Sequence, residues 1–139
     1  MRWRKILALC ASIATFIAFA AWAGENWVEV GADPQGKYYV DANSLQVEGE
    51  TMRFRKKGVY NFMMLETFGD KKISFRESVG TIEIDCARRI HRVVQMDIVG
   101  PEGTVEWSTG KMNRMWEDIA PDSVGNETHA YVCRGMTNS

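Results

Sequence analysis

Histidine and cysteine are both scarce in this chain of 139 residues, with two of the first and three of the second. His91 and His129 have no ligand-type partner at short spacing, which speaks against a zinc site and for solvated or partly packed rings. Neither G-x-S-x-G nor a glycine-rich phosphate loop occurs, so the usual sequence marks of an activated serine and of nucleotide binding are missing. Positive charge is not in excess either: 17 Lys and Arg stand against 18 Asp and Glu. A nucleic-acid partner would leave the opposite footprint. Helical and strand patterns do not alternate, and without crossover helices a parallel sheet has no route.

What is present begins with an address. Arg2, Arg4 and Lys5 precede an apolar run from Ile6 to Ala20, and Ala21-Trp22-Ala23 forms an A-x-A site before Gly24. Residues 1–23 read as a secretory signal peptide, and residues 24–139 as one domain. The alternative is an uncleaved anchor, since the apolar run extended to Ala23 approaches the shortest that spans a bilayer. Membrane contact is expected only through this segment, if it stays attached. Removing its three cations leaves 14 Lys and Arg against 18 Asp and Glu, net −4.

Export places Cys86 and Cys133 in an oxidising compartment, where such a pair reads as a disulfide rather than as a metal or catalytic pair. A bridged pair offers no thiol nucleophile. Closing a loop of this length stabilises by about 4 kcal/mol in the chain-entropy model, a sizeable part of the roughly 5–15 kcal/mol typical of a domain. The staple matters because a domain of this size buries only about two-thirds of its unfolded surface.

Cys86 closes the stretch TIEIDC, in which Thr81, Glu83 and Asp85 alternate with Ile82, Ile84 and Cys86. That period of two predicts a strand with a wet face and a dry one, Cys86 pointing inward. Upstream, Trp27–Val30 and Tyr38–Val40 predict a hairpin around Gly31, Asp33 and Pro34, and Asp41, Asn43 and Ser44 predict a turn. Met52 and Phe54 alternate with Arg53 and Arg55 until Gly58 interrupts, as a bulge or turn would. Gly69 to Lys72 predicts a polar turn between Val59–Leu65 and a strand resuming at Ile73. Ile90–Val99 predicts another strand with Val94, Met96 and Ile98 in phase, and Gly100 to Gly103 a turn into Thr104–Trp107. Short turns of this kind imply antiparallel pairing. Near the C-terminus Val124, Thr128, Tyr131 and Val132 fall at helical spacing behind Asp122 or Ser123 as N-cap. Gly125 weakens that helix by about 1 kcal/mol relative to alanine, so docking must hold it. Cys133 falls on the opposite side of the helical wheel from Val124. Either the helix ends before Cys133 or the bridge joins another face.

Few residues bear chemistry. Glu83 and Asp85 share a strand face, but neighbouring strand carboxylates are ordinarily the wet side of a sheet, and no catalytic residue is assigned. Met112 and Met115 form M-x-x-M, the type of pair that soft Cu(I) selects; gap-filling in a small core is the favoured reading, and no metal is assigned. Arg53, Arg55 and Lys57 point one way on an alternating strand, a cationic stripe suited to an acidic protein partner. Protection of an edge strand against aggregation is the competing account of the same residues.

The order of Trp27-Val28, Tyr38-Tyr39-Val40-Asp41 with Ser44, Ile84-Asp85-Cys86, Trp116, Ile119-x-Pro121-x-Ser123 and Val132-Cys133 resembles the surface-adhesin protein E family of Gram-negative bacteria. The resemblance implies an α+β fold, an antiparallel sheet of about six strands with a C-terminal helix tied to it by the disulfide, and no cofactor. It further implies an exported, non-enzymatic domain that binds host matrix or plasma proteins. The chain departs from the family's lipid-anchored namesake, because Cys10 follows Leu9 rather than the small residue favoured at a lipid-attachment site. A periplasmic envelope accessory or structural protein is therefore the alternative to an adhesin at the cell surface.

Overall fold

The computed structural model describes residues 24–136. The segment read as a signal peptide lies outside the described residues, and no described helix is long and apolar enough to cross a membrane. Six antiparallel strands form a continuous path: β1 (Trp27–Asp33), β2 (Gly36–Asp41), β4 (Thr51–Phe68), β5 (Lys71–Asp85), β6 (Ile90–Val99) and β7 (Val105–Ser108). Short β3 (Gln46–Glu48) pairs with β4, and two-residue β8 (Glu117–Asp118) pairs with β6. One helix, α1 (Val124–Val132), comes last among the described elements. The expected architecture is what is found.

The hairpins form where the sequence supplies turn chemistry. Asp33 accepts the backbone N–H groups of Gln35 and Gly36 at the β1–β2 turn. Gly49 and Gly69 take φ of 64° and 66°, the left-handed region that glycine enters without a Cβ clash. Asp41 is buried, and its Oδ1 accepts from Asn26 N at 2.9 Å and Asn43 N at 3.1 Å. The hydrogen bond from Asn43 caps the short 3-10 turn Ala42–Ser44, and that from Asn26 ties it to the start of the domain.

Ser123 is the N-cap of α1, its hydroxyl accepting from the Asn126 backbone N–H at 3.2 Å. The helix ends at Val132 with Cys133 as C-cap, which resolves the wheel conflict: the disulfide leaves from the cap rather than from the helix face. Gly125 also finds its reason. A Cβ there would lie 3.3 Å from the His91 ring, so its absence lets the helix approach β6.

Two strand expectations need correction. Gly58 neither bulges nor turns: β4 runs straight through it, paired to Tyr38 on one side and Ser78 on the other. The irregularity comes later, where residues 60–63 of β4 lie opposite Arg76 alone. On β6, Val94, Met96 and Ile98 do not stay in phase. The register slips opposite Thr81 and Ile82, and a one-residue slip sends the side chains beyond it to the other face.

The buried side chains form two clusters. Val40, Met52, Phe54, Ile84 and Ile119 gather with Val132 and the bridged cysteines under α1. Ile73, Phe75 and Ile98 form a second cluster farther along the β4–β5 ribbon, with Tyr60, Phe68 and Trp107 against it. Each large apolar side chain so buried contributes about 1.5–3 kcal/mol.

Candidate functional site

Cys86 and Cys133 are joined, with Cα atoms 5.7 Å apart. A second tether lies beside the bridge. His129, buried on α1, faces the Cys86 carbonyl oxygen with Nε2 at 2.9 Å. Since a carbonyl only accepts, Nε2 carries the proton, leaving Nδ1 toward Arg89 Nη1 at 3.5 Å. This histidine is a packed strut, a role its isolated place in the sequence does not reveal.

The carboxylates of TIEIDC are not on a wet face. Glu83 and Asp85 are both buried. Glu83 lies 4.0 Å from Arg53 and 3.4 Å from Arg92, whose guanidinium sits over the Trp116 ring at 4.5 Å. Asp85 accepts from the Arg88 backbone N–H and shapes the turn after β5. Alternation located the inward Cys86 correctly, but long arginines and the tail cover the other face as well. Met112 and Met115 border different cavities, and Met115 is 86% exposed, so it fills no core gap. Among the described residues no group of three or more His, Cys, Asp or Glu is gathered as metal ligands.

The cationic stripe lies on an interior strand, not an edge. β4 is paired with β5 on one side and with β2 and β3 on the other, so defence of a sheet edge does not account for it. Each cation has company. Arg53 is 3.6 Å from Glu48 as well as near Glu83, and Arg55 is 2.8 Å from Glu25 and 3.9 Å from Asp41. Arg55 also lies over Trp27 at 5.4 Å, and Lys57 over Trp27 at 4.4 Å and Tyr39 at 5.5 Å. The hydrogen bond from Arg55, then that from Trp27, holds the Glu25 carboxyl below its ordinary value. Trp27, Tyr39, Arg55 and Lys57 thus make an interleaved cation and aromatic surface.

The other face of the same strand carries a concave site of about 260 Å³. Lys56, Gly58 and Tyr60 of β4 and Ser78, Gly80 and Ile82 of β5 form its floor. Tyr38, His91, Val93 and Met96 wall it, and Arg114, Met115 and Glu117 stand at its margin. The Tyr60 hydroxyl bonds Ser78 Oγ at 3.0 Å. Burial pulls Lys56 down to about 8, and burial followed by the neighbouring Lys56 charge lowers His91. Tyr38 is pushed up to about 12, mainly by burial and then by Asp33. Sequence reading passed over this site, because Gly58 at its floor looks like a strand interruption and Gly80 carries no signal of its own.

A family model described as Surface-adhesin protein E matches residues 27–134. No curated protein sequence matches the chain. Solved structures of Haemophilus influenzae protein E share the fold at 13% identity. One aligns with TM-score 0.58 over 81% of this chain and 87% of that one, and a second crystal form with 0.56 over 78% and 87%. The family match spans both cysteines, the ribbon that carries the two faces and the helix that closes the core: the chain belongs to the surface-adhesin protein E family.

Proposed function

We propose that residues 1–23 direct export and that residues 24–139 act as an adhesin, binding a host matrix or plasma protein rather than catalysing a reaction. The reading rests on membership of an adhesin family, and the observation that carries it to particular residues is the surface of Trp27, Tyr39, Arg55 and Lys57. Aromatic and arginine side chains are the types enriched where proteins bind proteins. Arg53 extends the surface along β4. Its charges suit an acidic partner and act chiefly on the association rate.

The second reading, a periplasmic envelope accessory, is favoured by one observation. Arg53 and Arg55 are already paired inside the domain, to Glu48, Glu83 and Glu25, which leaves less charge for a partner. Protease treatment of intact Gram-negative cells separates the two: an adhesin is cleaved, a periplasmic protein is spared. For the surface itself, the Arg55→Glu, Lys57→Glu double variant should slow association with immobilised matrix or plasma protein by about tenfold and flatten its salt dependence. Unchanged rates in a folded variant would remove this surface from the proposal.

A further inference from the structure

We infer that the concave site over Gly58 and Gly80 binds a small organic monocarboxylate with an apolar body, its anion held by the Lys56 ammonium. The argument begins with the side chains that are missing. Along one face of β4 come Met52 and Phe54, both core, and then Lys56 and Gly58; along β5 come Ile84 and Ile82, then Gly80 and Ser78. The apolar face stops where the neighbouring side chains could have continued it. Nor does a side chain fit there unaided. A Cβ on Gly58 would lie 3.2 Å from the Tyr60 hydroxyl and 3.3 Å from the Tyr38 ring, and one on Gly80 would lie 3.1 Å from the Gln95 carbonyl oxygen. The two glycines let Tyr38, Tyr60 and the β6 backbone approach the ribbon closely, and the concave site of about 260 Å³ opens beside them.

Into that space comes a cation on which Asp33 and Glu127 act from a distance without reaching it. Among the described residues Lys56 forms no ion pair, and its Nζ lies 5.5 Å from the Tyr38 ring centroid. A half-buried charge is costly until paired, and the lowered Lys56 value records that cost. A ligand carboxylate supplies the missing partner. Ile82, Val93, Met96 and the tyrosine rings offer the apolar surface for the rest of the molecule. Glu117 at the margin disfavours a second negative charge. The volume, about 260 Å³, lies just under the roughly 300–1,000 Å³ of drug-sized ligand pockets, which suits a short acyl chain or a single ring. The site is on the opposite side of β4 from Arg55 and Lys57 and is independent of the proposed adhesin surface.

The test uses the disulfide-intact protein and three probes of one length: hexanoate, hexanol and hexylamine. Calorimetric titration should give hexanoate a saturable Kd of about 1 mM or tighter, with hexanol and hexylamine at least about tenfold weaker. Lys56→Met should weaken hexanoate by about tenfold and leave hexanol unchanged, while Lys56→Arg keeps a preference for the acid. Affinity should fall as pH rises through about 8, where Lys56 loses its charge. Tyr38, His91, Arg92, Arg114 and Glu117 border the site, with Asp33 and Glu127 acting on Lys56 from β1 and α1. Of these, His91 is lowered and Tyr38 raised, so neither supplies a loss near that pH. Equal binding of hexanoate and hexanol, hexanoate binding untouched in a folded Lys56→Met protein, or no saturable binding at millimolar concentration would each overturn the inference.

Discussion

The two ends of the β4–β5 ribbon are built from the same pairing and held by different means. At the end that carries Phe54 and Ile84, α1 lies across the sheet, the Cys86–Cys133 bridge fastens it and His129 bonds the Cys86 carbonyl. At the other end a relay of aromatic rings does the work. Tyr38 contacts Tyr60, Tyr60 contacts Phe75, and Phe68 links Phe75 to Trp107, the last pair stacked at 4.2 Å. Nothing described covers the outer side there, and Phe62, Met63 and Leu65 are 50%, 49% and 66% exposed. The difference shows that ribbon length and ribbon stability are separate: hydrogen bonds run along most of it, but the layer that resists opening is thick at one end only. Local opening should therefore start at the uncovered end.

Breaking the tether should have the largest effect. The bridge spans 47 residues of sequence, so its reduction, or Cys133→Ser, is expected to cost about 4 kcal/mol and to lower Tm by on the order of 15 °C. In hydrogen exchange, breaking the bridge should cost the α1 amides more protection than those of the far end. Identical melting with and without reductant would refute the stapling role. Next in size is Phe75→Ala, which removes the central ring of the relay at an expected cost of about 3 kcal/mol. Its exchange effects should stay within residues 60–77 and the facing part of β6. If α1 lost protection equally, the two ends would be one cooperative unit and the comparison would collapse.

The tethered end was the more legible in the sequence. Period-two alternation before Cys86, two cysteines beyond the apolar leader and Ser123 as a cap are local signals, and local physics sets them. What the sequence hid depends on partners far along the chain. Glu83 reads as wet until Arg53 and Arg92 are brought over it, and His129 reads as solvated or partly packed, with no partner named, until the turn after β5 presents a carbonyl. The slip in β6 is equally invisible, since an extra residue in one strand is defined only by its neighbour. Gly58 misled for the same reason: its meaning is the close approach it allows to two tyrosines, not a break in the strand.

Lys56 marks the junction between the two ends, and the smallest effect comes from removing it. In the unfolded chain its ammonium persists to the ordinary value of 10.5; in the folded chain burial brings that value to about 8. Between these two the unfolded chain holds the extra proton, so stability rises with pH across that window. Below about 8 the folded protein carries the whole cost of burying the charge. Lys56→Met keeps much of the side-chain volume and deletes the charge. Allowing for the partial exposure of the group, the variant should be more stable than its parent by about 1 kcal/mol at neutral pH. This advantage should shrink as the pH approaches 10.5, where the folded parent has already lost the proton and the unfolded parent is losing it. Urea denaturation of both proteins at neutral and at alkaline pH measures it. A gap that does not change with pH would assign the gain to apolar contact alone, and a less stable variant would mean that the lysine stem, rather than its charge, is what joins the two ends.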